Sequence, residues 1–348
     1  MEAYISGAAQ ISMQAPLSDE WFTQPVLYDT SYRRSVEADY RPFFPPMAAR
    51  RMGTLIKRAA ATAQTALRQA GLDMPDAVIT GTGLGCIENT EKFLSAMVLQ
   101  GESLLQPTHF IHSTHNTISS QVALQLHCHG YNTTFAHTGI SFESALNEAC
   151  TLMQTGRIRS AVVGGHDELT PGYFKILERI GYWKADATQT ALRQAHTPGA
   201  MAGETSVSMV LTVQCRPSSL ARIDGITLLS DPSDRRLREA AAGLLQGVRP
   251  DALLTGRNGD ADDAGMYLRL KEAVCPEPMP VLWYKHIFGE SYTASAFGLM
   301  TAATCLKEQR IPEAFLLEPA VCPEKLHHIL CLQHFRGKAF ALVLLSSC

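Results

Sequence analysis

Short uncharged apolar runs alternate along the chain with stretches whose apolar residues recur three and four apart. Ala3-Tyr4-Ile5-Ser6-Gly7-Ala8-Ala9 reads as a short strand ending in a small-residue turn. Residues 16–46, rich in proline, aromatics and charge, read as an ordered surface excursion. From Pro46 to Ala70, Met52, Leu55, Ile56, Ala59, Ala60 and Ala63 keep helical spacing, which predicts one helix stopped by Gly71. Ala77-Val78-Ile79-Thr80 is a buried strand entering Gly81-Thr82-Gly83-Leu84-Gly85, with a helix over about 88–100. Strand, glycine turn and helix make a βα unit of a mostly parallel sheet. A helix over 113–127, a strand over 131–136, a helix over 141–155 and a strand over 160–163 continue the pattern. In the 141–155 helix Phe142, Ala145, Leu146, Ala149, Leu152 and Met153 share a face, and Gly156 follows at the cap position.

Residues 170–200 look irregular, and 203–211 resume strand character. The second half repeats the grammar: strand at about 221–229, helix 234–246, strand 251–254, helices 263–274 and 293–306, strand 339–346. This predicts two similar α/β halves, 1–215 and 216–348, joined without a linker as one unit. Of the 348 residues, 46% are apolar and 18% charged, which supplies a large core and excludes disordered or collagen-like chains. The net charge of −3 without basic blocks gives no reason to expect nucleic acid or an anionic membrane surface. The first basic residue is Arg33, so no secretory leader is expected, and no apolar run reaches the ~18 residues of a membrane span. Nine scattered cysteines without CxxC spacing read as reduced thiols, which predicts a cytoplasmic protein.

The candidate chemistry is mostly negative. Gly81–Gly85 is like a nucleotide loop, but Cys86 stands where the third glycine belongs and no Gly-Lys-Ser/Thr follows, so it reads as a tight turn. His109, His112 and His115, and His127 and His129 beside Cys128, have spacings that zinc sites use, but no carboxylate or thiol pair completes a set. Neither a metal nor a cofactor is expected. The strand-to-helix turn at 136–141 aims its residues at a helix N-terminus, where a thiolate or alkoxide is stabilised. In this chain that turn carries Gly139.

The run from strand 131–136 through helix 141–155 to Gly164-Gly165 resembles the β-ketoacyl synthases of the thiolase-like fold. Further matches follow in order along the chain. Ser6-Gly7-Ala8 is similar to that family's opening turn, Gly81–Gly85 to its Gly-x-Gly turn, Gly199–Glu204 to its Gly-x-x-x-Gly-Glu segment, and Lys285–Glu290 to its Lys-x-x-x-Gly-His segment. The resemblance implies a thiolase-like α/β fold, two similar halves packed as five α-β-α-β-α layers. It also implies that Gly139 stands at the position of the acyl-accepting cysteine. Glu290 stands at one catalytic histidine, and Gly256 or Arg257, within Leu254–Asn258, at the other. Lys285 is retained, and Gln333-His334-Phe335-Arg336-Gly337 is all that matches the glycine-rich gating loop. Losing every member of a cooperating catalytic set leaves no condensing site.

Catalytically degenerate members of that family serve as chain-length factors. They form a heterodimer with an active ketosynthase, to which an acyl carrier protein docks, and limit its acyl tunnel. The resemblance therefore implies such a subunit, of the compact kind that accompanies aryl-polyene or flexirubin-type ketosynthases. It places Phe110, Ile111, Thr114, Thr133, Thr134, Phe135 and His137 at the tunnel or interface. Phe110 and Ile111 are the candidate floor, with plain interface packing the alternative for Phe110. The strand Tyr131–Ala136 bears no charge, and such a strand is hazardous as an open edge. The competing reading is an acyltransferase, thioesterase or hydrolase in which His137 activates Ser141. A third is a binding module for an acyl carrier protein or acyl-CoA.

Overall fold

The computed structural model describes residues 3–101, 103, 105–317 and 320–348. Among these, ten strands form one sheet: β1 (Ala3–Ile11), β2 (Ala77–Gly81), β3 (Tyr131–Phe135), β4 (Ser160–Asp167), β5 (Thr205–Thr212), β6 (Ala221–Ser230), β7 (Ala252–Thr255), β8 (Val281–Leu282), β9 (His328–Phe335) and β10 (Ala339–Ser346). Their spatial order is β3-β2-β4-β5-β1-β6-β10-β9-β7-β8. β2 runs parallel to β3 and β4, and β5 is antiparallel to β4 and β1. The second five strands repeat this scheme: β7 is parallel to β8 and β9, and β10 is antiparallel to β9 and β6. The two runs meet only where Ala3, Tyr4 and Ile5 pair with Ile223, Arg222 and Ala221.

Successive side chains of a strand point to opposite faces, so a sheet covered on both sides needs continuous apolar strands. Val78, Val162 and Val210 pack against the helices Thr54–Ala70 and Thr117–Gln125 on one outer side. Their neighbours Ile79, Val163 and Leu211 face the other way, onto Ser141–Gln154 and Ser295–Glu308. Those two helices also receive Leu254, Ile329 and Val343 from the second run of strands. Leu253, Leu330 and Leu342 then face the outer helices Asp234–Leu245 and Ala261–Val274. Helix, sheet, helix, sheet, helix is the five-layer order that the resemblance implies.

Several elements differ from expectation. Gly7 lies inside β1, not in a turn. A bulge interrupts the register between Ile5 and Gly7, and a Cβ at Gly7 would stand 2.2 Å from the Ala66 carbonyl oxygen. The strand and the Thr54–Ala70 helix approach each other that closely because the residue is glycine. The helix expected over 46–70 is two, Pro46–Ala49 and Thr54–Ala70, because Gly53 takes an extended ψ of 157° between them. The helix expected over 113–127 is Thr117–Gln125, preceded by Pro107–Ser113, and the extended Thr114 separates the two. The stretch taken as irregular holds the helices Pro171–Arg179 and Gln189–Gln194. Strand β9 has no counterpart in the sequence reading. Among the described residues no helix is long and apolar enough to cross a membrane.

Candidate functional site

After β3 the chain makes a 3-10 turn, Thr138–Ile140, and enters the Ser141–Gln154 helix. The Ser141 hydroxyl clamps this turn. It accepts from the His137 backbone N–H at 2.8 Å and donates to the Thr138 carbonyl at 2.7 Å. Thr138 sits at φ 56°, in the left-handed region. For a β-branched residue that is a genuine outlier, worth about 1–2 kcal/mol, and such outliers cluster at functional turns. The turn places Gly139 in the wall of a cavity of about 420 Å³, which Asn258, Lys285, Glu290, Tyr292 and Phe335 also line.

Lys285 opens the short helix Lys285–Phe288 after β8, and Glu290 follows Gly289. The 199–204 segment braces Glu290: its N–H donates to the Met201 carbonyl at 2.7 Å, and its carbonyl accepts from Gly203 at 3.0 Å. One carboxylate oxygen of Glu290 accepts from Lys285 Nζ at 2.8 Å and from Asn258 Nδ2 at 2.6 Å. Both members of this ion pair are buried. Removing one partner of such a pair leaves an uncompensated charge.

Phe335, the last residue of β9, fills the space in front of Gly139. A Cβ at Gly139 would lie 2.2 Å from Phe335 Cδ2, 2.5 Å from Cγ and 2.8 Å from Cβ. The guanidinium of Arg336 sits 5.3 Å from the Phe335 ring centroid and 5.5 Å from that of Tyr182. Behind the turn, Glu143 is fully buried, and burial pushes its carboxyl up to about 7, with Ser295 and the nearby Lys285 opposing the shift. Tyr267 and Tyr284, both raised by burial, donate to Gln333 Oε1 at 3.0 and 3.4 Å. The helix N-terminus thus remains, but position 139 offers no sulfur or hydroxyl. The lysine charge is already matched by Glu290.

The glycine turn at 82–85 is closed to phosphate. Asp167 accepts from Thr82 Oγ1 at 3.0 Å, from the N–H groups of Gly83 and Leu84 at 2.9 Å each, and from Thr293 Oγ1 at 2.7 Å. The N–H groups a nucleotide would use are spent on a structural carboxylate. Among the described residues no three His, Cys, Asp or Glu side chains are placed to hold a metal.

The structure gathers Gly139, Lys285 and Glu290 at one cavity. From the Leu254–Asn258 segment it brings a different side chain to the cavity than Gly256 or Arg257. Gly256 follows β7 with its Cα hemmed in by Gln333 Oε1 and Tyr267 OH, each 2.4 Å from where a Cβ would stand. Arg257 reaches toward the Arg193 carbonyl, at 3.4 Å. Asn258, one residue further on, is the side chain that enters the cavity. The Ser141–His137 side-chain pair of the competing reading does not form. Ser141 is buried and meets only the backbone of His137, while His137 Nδ1 lies 3.2 Å from Ser144 Oγ.

Phe110 and Ile111 sit on the Pro107–Ser113 helix, 57% and 59% exposed, and Phe110 meets Phe93 at a centroid distance of 5.3 Å. Thr114 bonds Thr117 through their hydroxyls at 2.9 Å. Thr133, Thr134 and Phe135 lie on β3, the strand at one end of the sheet order, hydrogen-bonded on one side only, to β2. Thr134 donates to Ser119 Oγ at 2.7 Å, and Phe135 meets the His137 ring edge-on at 5.7 Å. Phe335 and Asn258 are the site residues whose roles the sequence reading missed, although both lie in segments it singled out. A larger groove of about 650 Å³, between Arg34, Lys92 and His109, holds none of this constellation.

Residues 31–214 match the model of the β-ketoacyl synthase N-terminal domain. No curated protein matched the sequence. Among solved structures, the ishigamide ketosynthase/chain length factor is 17% identical with a TM-score of 0.82, over 100% of this chain and 99% of that one. The ketosynthase ApeO in complex with its chain length factor ApeC, from Xenorhabdus doucetiae, is 16% identical with a TM-score of 0.79, over 100% and 98%. The type II polyketide synthase complex AntDE:AntF, an acyl-carrier protein with its ketosynthase, is 11% identical with a TM-score of 0.80, over 100% and 99%. The ketoacyl-synthase match spans more than half of the chain. The chain belongs to the β-ketoacyl synthase family.

Proposed function

We propose that this chain is a non-catalytic subunit of the chain-length-factor type, which pairs with an active ketosynthase in the cytoplasm and bounds its acyl tunnel. The observation that carries the reading is Gly139 with Phe335 packed against its Cα: the position from which a cysteine would attack has neither the atom nor the room. Forming a thioester requires a nucleophile, and stabilising the enolate of a decarboxylated extender requires donors at its oxygen. At that place this site presents the carboxylate of Glu290. The two halves, 1–215 and 216–348, act as one body in this reading.

Support for a partner comes from surface that the chain leaves uncovered. Strand β3 bears no charge and has a free edge. Leu124, on the helix packed against β3, and Phe110 and Ile111, on the helix beyond it, are exposed. On the Ile87–Gln100 helix only Asn89 is buried, while Val98 and Leu99 are 82% and 84% exposed. Exposed apolar side chains together with a bare strand edge fit an obligate interface. The neighbours described as ketosynthase/chain length factor assemblies suggest an active ketosynthase as the occupant, and the carrier-protein complex suggests that a carrier protein docks to the pair.

The test is co-expression with a ketosynthase that retains cysteine and two histidines, followed by size exclusion and product analysis. A one-to-one complex is expected, with no acyl adduct on this chain by intact mass. Phe110→Ala is expected to lengthen the products, because removing a bulky aromatic from a tunnel floor makes room for further units. An adduct on the isolated chain that Ser141→Ala abolishes would favour the acyltransferase or hydrolase reading. Unchanged product lengths would make Phe110 an interface residue.

A further inference from the structure

The helices Ser141–Gln154 and Ser295–Glu308 leave a small void where they meet β7, β9 and β10. Every residue that lines it is buried, and about 20 Å³ of it is open to the centre of a water-sized sphere. Most of the wall is apolar. Its polar members are Glu143, Tyr284, Ser295, Cys331 and Gln333, and Gln333 also lines the cavity at Gly139. Two atoms of this wall are orphans. Glu143 Oε2 and Ser295 Oγ are shut off from solvent, and among the described residues neither has a hydrogen-bond partner. Their residues are only 3% and 7% exposed. The Glu143 carboxyl is served by its own backbone N–H, and Ser295 stands near enough to oppose the rise that burial imposes on it. Tyr284 is already engaged, since its hydroxyl donates to Gln333 Oε1 at 3.4 Å. Buried polar groups are almost always paired, with protein or with water, because an unpaired one gives up its hydration without return.

We propose that this void is a hydration site, which holds one ordered water bonded to Glu143 Oε2 and Ser295 Oγ. The space suffices, because a single water needs about 10–15 Å³ and two to four polar partners. Nothing larger fits. A cation would exchange its whole hydration shell for one carboxyl group in an otherwise apolar wall. Water also suits both states of Glu143, whose carboxyl burial pushes up to about 7. It accepts from the O–H of the acid and donates to the carboxylate, while the serine hydroxyl turns to match either orientation. Lys285, Tyr267, Tyr284 and Cys331 are the titratable groups whose charges couple to that carboxyl. The bridge joins the two central helices of the fold through their first turns.

The test is a crystal structure of the full chain at a resolution that shows ordered water, with a second crystal held under xenon. A dry apolar void takes up xenon, whereas a hydrated one does not. The expected result is one water per chain within hydrogen-bond distance of both Glu143 Oε2 and Ser295 Oγ, and no xenon at that place. In Glu143→Leu combined with Ser295→Ala both polar partners are gone, and the water is expected to leave. An empty void in the parent, xenon bound there, a direct Glu143–Ser295 bond that closes the space without water, or a water that persists in the double variant would each overturn the proposal. The parent crystals carry the test even where the double variant does not fold. None of these readouts involves a ketosynthase or an acyl chain, so the outcome is separate from that of the proposed function.

Discussion

Placing a cysteine at position 139 is the most direct perturbation of the proposed degenerate site, and the structure says why it fails. Gly139→Cys adds a Cβ at 2.2, 2.5 and 2.8 Å from three atoms of Phe335, whereas carbon atoms rest about 3.5–4.0 Å apart. One of the three is the Cβ of Phe335, so turning the ring is not enough and the end of β9 must move. The backbone at Gly139 is not in the left-handed region, so the obstacle is space and not conformation. Overpacking of this kind costs about 1–3 kcal/mol. Gly139→Ala carries the same Cβ without the sulfur and is expected to lose about as much. Urea unfolding of both variants measures the loss, and intact mass after incubation with an acyl thioester reads the chemistry. No adduct is expected on the introduced thiol. Adding Phe335→Ala removes the two ring contacts but keeps the one to Cβ, so it is expected to recover part of the lost stability, with a coupling of at least about 1 kcal/mol between the two positions. A Gly139→Cys protein as stable as its parent and readily acylated would refute the argument.

Lys285→Met strands the Glu290 carboxylate among buried groups and is expected to cost about 3–5 kcal/mol in urea unfolding, whereas Lys285→Met combined with Glu290→Leu is expected to recover most of it. If the single variant unfolds like the parent, the ion pair contributes nothing and water reaches Glu290. Glu143 has its carboxyl raised to about 7 from 4.5, so the folded state holds a proton that the unfolded state has released. Its contribution falls as pH rises from 4.5 to 7 and is constant above. Glu143→Gln is therefore expected to gain stability relative to the parent across that window, by up to about 3 kcal/mol, and to differ little below it. A difference between the two proteins that does not change from pH 4.5 to 8 would contradict the burial argument.

Much of the architecture was legible because it rests on local pattern. Ile79, Val163 and Leu211 belong to uncharged runs that suit only strands covered on both faces, and Phe142 to Met153 keep strict helical spacing. Strand β9 escaped because His328, Gln333 and His334 interrupt its apolar run. Burial accommodates them through partners distant in sequence: Gln333 accepts from Tyr267 and Tyr284, and His334 Nε2 lies 3.2 Å from Asp263 Oδ1. The Ser141–His137 pair looked available because the residues are four apart. The turn instead uses the Ser141 hydroxyl to close its own backbone. Asn258 was passed over in favour of its neighbours because only the path of the loop after β7 decides which side chain enters the cavity.

The sequence alone determined that position 139 carries no nucleophile, that a glutamate follows Gly289, and that apolar strands alternate with amphipathic helices, since each is a matter of residue identity or short spacing. Only the tertiary structure decided what became of the space. Phe335, 196 positions along from Gly139 by 335 − 139, closes it, and Glu290 turns onto Lys285 and Asn258. The physical reason is that the space beside a residue without a side chain is filled by whatever the surrounding elements bring to it. Strand β9 and the loop after β7 are brought to Gly139 by packing between the two runs of strands, at a distance along the chain that no local pattern encodes.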